Sequence, residues 1–221
     1  MKRLNIPFVS RNVIKNSYRF YVVRLITMAL NIFDSIESGY IQQVEVFLEL
    51  GGDPNAVNKK GKSLLMSAIL HNKPDIVKLL IDSGADVKKK DPNHESPLHN
   101  AAWDGNIQIV KILIDGGADI DIPNYYSNRP LHMASSHGSA EIVQLLIENG
   151  ADVNSIGNYD STPLHCAALN GRYDIVIALL NAGCDTEILD EHEYKAIDIC
   201  IDKDCIEAIK GGGIATKSAK N

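Results

Sequence analysis

Two kinds of apolar block alternate along most of the chain. One is a run of the form Ile-Val-x-Leu/Ile-Leu-Ile, at Ile76–Ile81, Ile109–Ile114 and Ile142–Ile147. Apolar residues at i, i+1, i+3, i+4 and i+5 give a helix a broad buried face. The other block is shorter and opens on a cap: Ser96-Pro-Leu-His-Asn-Ala-Ala, Arg129-Pro-Leu-His-Met-Ala-Ser and Thr162-Pro-Leu-His-Cys-Ala-Ala. The Ser96 and Thr162 hydroxyls can accept a free backbone N–H at a helix start. Pro97, Pro130 and Pro163 stand at the first helical position, where a missing N–H costs nothing. About two turns later Gly105, Gly138 and Gly171 end the short helix. Gly84, Gly117, Gly150 and Gly183 close the longer one by offering a left-handed residue. The pattern predicts pairs of short helices and no strand run.

The pairs keep a strict beat. The Pro-Leu-His phrase recurs every 33 residues, with worn copies at Ser63–Ile69 and Lys195–Ile201. Gly51, Gly84, Gly117, Gly150 and Gly183, each two residues before an Asp, hold the same register. A fixed period of this size means stacked supersecondary units, here an all-α repeat solenoid. The units fall at 58–90, 91–123, 124–156 and 157–189. A first unit at 28–57 lacks the phrase; it places Ile32, Phe33 and Ile36 on one helical face and Val44, Phe47 and Leu48 on the next. Its more polar Gln42 and Gln43 suit a cap that keeps the stack soluble. A truncated unit at 190–210 predicts a first helix over Ala196–Asp202 and a second carrying Ile206 and Ile209, stopped by Gly211-Gly-Gly. Residues 211–221 read as a flexible tail.

The motif, the period and the helix pattern together resemble the ankyrin repeat family over about residues 28–210. The resemblance implies helix–turn–helix units with hairpin-like fingers projecting at right angles. Two departures matter. Arg129 replaces the Ser or Thr cap, and His94, Ser127, Asp160 and Glu193 stand where the family favours Gly in the finger turn. Those four turns are expected to be strained. In the fifth unit Ile177 and Ala178 also invert the usual polar–apolar order.

Charge adds an asymmetry. The chain has 22 basic and 28 acidic residues, but residues 1–27 hold six basic side chains and no acid. That segment resembles a mitochondrial transit peptide, an inert or helical extension, or sequence upstream of a true start at Met28. Phe20–Leu30 is interrupted by Arg24 and too short to span a bilayer. The acidic remainder is a poor partner for phosphate backbones. Cys166, Cys184, Cys200 and Cys205 show no C-x-x-C pair and read as reduced thiols in a cytosol-like compartment. The expected location is therefore cytoplasmic, with a mitochondrial or host-cell-directed location as the alternative.

Several features imitate chemistry. His99, His132 and His165 form a ladder, but units in a stack lie about 8–10 Å apart, too far to share a zinc ion. They are expected to tie helix starts to neighbouring loops. Gly61-Lys62-Ser63 ends like a phosphate-binding loop, yet Ala56 replaces the required Gly and no strand precedes it. Asp86, Asp119, Asp152 and Asp185 recur with the period, as turn residues do. No nucleophile is paired with a base. The expectation is a protein without enzymatic activity, cofactor or metal.

Recognition is what remains. The resemblance places partner contacts on the fingers and the concave side of each first helix. Carried onto this chain, these positions are Lys59, Lys60, Lys62, Leu70 and His71 in the second unit and Pro92, Asn93, Glu95, Trp103 and Asp104 in the third. They continue with Tyr125, Tyr126, Asn128, Ser136 and His137, then Asn158, Tyr159, Ser161, Leu169 and Asn170, and end at Glu191, His192 and Tyr194. Trp and Tyr are enriched among binding hot spots. The early fingers are basic, through Lys59, Lys60, Lys62 and Lys88–Lys90; the late ones are acidic. The expected function is an adaptor or stoichiometric inhibitor that binds another protein as a monomer, with no nucleic acid, small-molecule substrate or membrane involved. Two rival readings are an adaptor held at a membrane or organelle by residues 1–27 and an accessory subunit of an enzyme.

Overall fold

The computed structural model describes residues 31–212, so the readings for residues 1–27, Met28 and the end of the tail lie outside the described residues. Among the described residues eleven α-helices follow one another: α1 Ile32–Ser38, α2 Ile41–Glu49, α3 Leu64–Leu70, α4 Pro74–Asp82, α5 Pro97–Asp104, α6 Ile107–Asp115, α7 Pro130–His137, α8 Ala140–Glu148, α9 Pro163–Leu169, α10 Tyr173–Asn181 and α11 Lys203–Lys210. They pair within units and stack between them. First helices form one row, α1 on α3 on α5 on α7 on α9, and second helices form another, α2 on α4 on α6 on α8 on α10 on α11. The architecture is the all-α repeat solenoid that the period predicts.

The core runs between the two rows. Leu98, Leu131 and Leu164 from the first helices are at most 1% exposed, as are Val110 and Leu113, Val143 and Leu146, and Val176 and Leu179 from the second. Burying each Leu stabilises the stack by about 1.5–3 kcal/mol. The same sequence positions fill the same place in every unit, so the core is continuous rather than divided.

The second helices end as the glycines require. Gly84, Gly117, Gly150 and Gly183 have φ of 92°, 84°, 94° and 79°. Ala85, Ala118 and Ala151 then donate to the carbonyls of Leu80, Leu113 and Leu146 at 2.9, 2.9 and 3.0 Å, closing the last turn. Gly138 differs: its φ is −73°, and a Cβ there would lie 2.8 Å from the carbonyl oxygens of Ala102 and Ala134. Close packing, not a left-handed turn, holds glycine at that position.

Finger geometry follows a second periodic set that the motif does not contain. The side chains of Asn58, Asp91, Asn124 and Asp190, each 33 residues apart or a multiple of it, accept N–H bonds from residues two and four further on. These Asx turns fold the finger tips, and in the first and last of these fingers an isolated antiparallel bridge joins Val57 to Ser63 and Leu189 to Lys195. Gly157 occupies the position in the fifth unit and has no side chain to do this. That finger instead collapses into a 3₁₀ turn at Asn158–Asp160. Gly61 takes the left-handed residue of the first finger at φ 76°; His94, Ser127 and Glu193 take it at 62°, 63° and 64°. In the finger of the fifth unit Tyr159 and Asp160 are both left-handed, at 56° and 53°. The strain expected at the four non-glycine turns is present, and the missing Asx side chain adds Tyr159 to it.

The final unit departs from expectation. Residues 196–199 form only a turn, so the first helix predicted over Ala196–Asp202 is absent. The unit has neither the Ser/Thr cap nor the Pro. Asp198 turns its carboxylate back onto the Lys195 N–H at 2.9 Å, and Asp202 starts a new helix by accepting from Cys205 N–H at 2.9 Å. The second helix does form. Cys205 and Ile209 are its buried residues, and Ile206 is only partly buried.

Candidate functional site

The buried joints come first, because they fix the surface. His99, His132 and His165 are at most 2% exposed. Each Nε2 donates to a carbonyl 29 positions on: Asn128 at 2.9 Å, Ser161 at 3.1 Å and Tyr194 at 3.0 Å. Each Nδ1 accepts the N–H of its own helix cap, from Ser96, Arg129 or Thr162, at 3.1–3.2 Å. Both ring nitrogens are thus committed to neutral partners. Burial holds His99 and His132 well below the usual range, at about 4. Each ring pins the finger of the next unit beneath its own helix start. Pro97, Pro130 and Pro163 open those helices and are buried.

On this frame one group of rings converges. Trp103, at the end of α5, stacks on His137, at the end of α7, with ring centroids 3.4 Å apart. Tyr126 stands on the finger of the fourth unit with Tyr125 edge-on at 5.2 Å, and Tyr125 in turn meets His94 of the preceding finger at 5.9 Å. Between Trp103 and Tyr126 lies a groove of about 330 Å³, lined also by Glu95, His99, Asn100, Asn124, Asn128 and Met133. His94, Tyr125 and Tyr126 stay exposed although Tyr125 touches both of the others, and Trp103 and His137 stay exposed although they stack. Trp103 alone leaves 44% of its surface in solvent, which a packing role would have covered.

Glu95 forms part of the groove. Its Oε1 accepts from Asn124 Nδ2 at 2.7 Å, while its Oε2 is buried and has no donor. The oxygen lies 3.9 Å from His99 Nδ1, but that nitrogen presents a lone pair already taken by Ser96, so the contact is not an ion pair. Burial raises the carboxyl above the usual range; the bond from Asn124 opposes this, Asp91 adds to it and Lys90 reduces it. The Lys90 ammonium is itself held on the Pro123 carbonyl at 2.6 Å.

The other sequence-predicted residues lie elsewhere on the surface. Tyr159 and Tyr194 are exposed on the next two fingers, and among the described residues no ring pair joins them to the cluster. Lys59 and Lys60 are exposed on the first finger, with Lys62 half-buried. His71 is engaged: its Nδ1 lies 2.9 Å from the Ser67 carbonyl and its Nε2 3.5 Å from Glu37. Leu169 is exposed, and Asn170 donates to the Cys166 carbonyl at 2.8 Å, finishing α9. Asp104 follows Trp103 on the surface, its carboxyl raised by partial burial. Asn100, Met133 and Asn124 were not singled out by the sequence. Asn100 and Met133 fill the variable position inside the Pro-Leu-His-x-Ala phrase, which is the signal that could have found them.

Three of the thiols, Cys166, Cys184 and Cys205, are poor nucleophiles. Burial pushes Cys205 up to about 12 and Cys184 up to about 11, and raises Cys166. Among the described residues no three His, Cys, Asp or Glu side chains come together as a metal site, and no helix is long and apolar enough to cross a membrane.

A family profile of ankyrin repeats, in three copies, matches residues 32–124 and 123–190. The chain belongs to the ankyrin repeat family, whose members generally mediate protein–protein interaction and are typically non-enzymatic. No curated protein matches the chain.

Proposed function

We propose that this protein is a non-enzymatic interaction module that holds one partner protein on its concave face and finger tips. The centre of the surface is the groove between Trp103 and Tyr126 with the rings of His137, Tyr125 and His94 around it. The observation that carries this reading is the contiguity of those exposed rings across two units. Rigid aromatic side chains supply contact area at low conformational cost, which is why they dominate binding hot spots. Tyr159, Leu169, Asn170 and Tyr194 extend the surface along the later units, and Lys59, Lys60, Lys62 and His71 along the earlier. The change from basic to acidic fingers gives an approaching partner one polarity. Acting in the cytoplasm, the module works by occupancy, as an adaptor or stoichiometric inhibitor.

Affinity capture from cell extract, with mass spectrometry, tests the proposal. A Trp103→Ala/Tyr126→Ala variant with an unchanged circular-dichroism spectrum is expected to lose the partner. Equal recovery by parent and variant overturns the proposed surface.

A further inference from the structure

We infer that the groove between the third and fourth units takes an arginine side chain of the partner protein. The inference rests on the reading of this surface as a protein-binding one and specifies the chemistry it selects. Trp103, whose ring stacks on His137, lines the groove together with Tyr126 and the carboxylate-bearing Glu95. That carboxylate is half-satisfied. Asn124 holds Glu95 Oε1 at 2.7 Å, and nothing donates to Oε2. A buried acceptor left unpaired is costly, so the site has a standing demand for a donor. The neighbours cannot meet it. His99 Nδ1 accepts from the Ser96 N–H at 3.2 Å and contacts the Ser96 hydroxyl at 2.7 Å, while the His99 proton is on Nε2, given to Asn128. The Lys90 ammonium donates to the Pro123 carbonyl and not to Oε2.

A guanidinium meets both parts of the site. It is planar and weakly hydrated, stacks on an indole, and donates two parallel N–H bonds to a carboxylate. Oε2 is buried in a residue that lines the groove, and the terminal torsion of a glutamate is soft, so rotation about it can turn Oε2 toward the incoming donors. A lysine ammonium is a compact, strongly hydrated charge that offers no plane to the rings. The net charge of −6 favours approach of a cationic segment.

Trp103 is the only tryptophan of the chain, so its emission reports on this groove alone. Three synthetic ten-residue peptide libraries, with arginine, lysine or citrulline fixed at the centre and the other positions randomised, are applied to the full-length protein. The arginine library is expected to be retained about tenfold more strongly than the citrulline library and to shift the Trp103 emission. Glu95→Gln, with an unchanged melting curve, is expected to abolish that preference. Equal retention of arginine and citrulline, equal retention of arginine and lysine, no retention of any library, or an arginine preference that survives Glu95→Gln would each overturn the inference. If that happens while Trp103→Ala/Tyr126→Ala still loses retention of all three libraries, the protein-binding reading stands without it. If that variant behaves like the parent, both fall.

Discussion

His99 in one unit and Asn128 in the next are joined by a single hydrogen bond, Nε2 to carbonyl, 2.9 Å long and part-buried. The opposite nitrogen requires a neutral ring, since Nδ1 accepts the Ser96 N–H in His99 and the Arg129 N–H in His132.

Acid should therefore weaken the stack in a defined window. Both rings titrate near 6.5 when unfolded and are held at about 4 when folded. Between those values the unfolded chain binds more protons, so this stability is complete above pH 6.5 and is lost as pH falls through 4. Each ring contributes on the order of 3 kcal/mol. Glu95, whose folded carboxyl is raised, acts in the opposite sense: its contribution is present at low pH and lost as pH rises. Urea midpoints at pH 7, 6 and 5 should fall in that order. His99→Gln should flatten the slope by up to about 1.4 kcal/mol per pH unit. A midpoint independent of pH would contradict the assignment.

Relief of the finger strain should stabilise. Ser127 and Glu193 hold φ of 63° and 64°, where a Cβ meets the backbone. Ser127→Gly or Glu193→Gly removes that clash at a smaller cost in unfolded-chain entropy. A net gain of about 0.5 kcal/mol is expected. Thermal melts measure it, and a loss at both sites would show that the turns are not strained.

Arg129 should be replaceable with profit. It caps α7 without a side-chain acceptor, and its Nε is buried with no partner. Its one useful bond is from Nη1 to the Ile156 carbonyl at 3.2 Å. Arg129→Ser restores the oxygen found at Ser96 and Thr162, and a gain of about 1 kcal/mol is expected in chemical denaturation. A drop in stability would mean that the Ile156 bond outweighs the cap.

Gly138→Ala should do the reverse. The new methyl meets two backbone oxygens at 2.8 Å, and neither belongs to a flexible side chain that could move aside. A loss of about 1–3 kcal/mol is expected, read as a lower melting temperature. Gly117→Ala tests a different cause, since a Cβ there meets nothing within 4 Å and only φ is at fault.

The helices of the described units were legible because each depends on residues near in sequence: a cap, a proline, an apolar stripe, a glycine. The joint made by His99 was legible in kind, but its partner Asn128 was not, since nothing local ties the two. The 3₁₀ finger at Tyr159 was hidden for a different reason. It follows from what Gly157 lacks, and that is visible only once the Asx role of Asn58, Asp91, Asn124 and Asp190 is known. The last unit misled because Lys195–Ile201 keeps the spacing of the phrase while losing its cap and proline. The aromatic positions were readable from the motif. Their convergence around Glu95, and the exclusion of Tyr159 and Tyr194 from it, depend on how far one unit is displaced from the next, which no single repeat encodes.

The joints also give the stack a direction. Each runs forward only, from a ring to a finger that is synthesised later, so a nascent unit is finished by its successor. At Asp198 the chain reaches the position that held His165 one unit earlier, and there the carboxylate bends back onto Lys195 instead of reaching ahead. Asp198 thus offers no donor to a carbonyl further along the chain, whereas Nε2 of His99, His132 and His165 does.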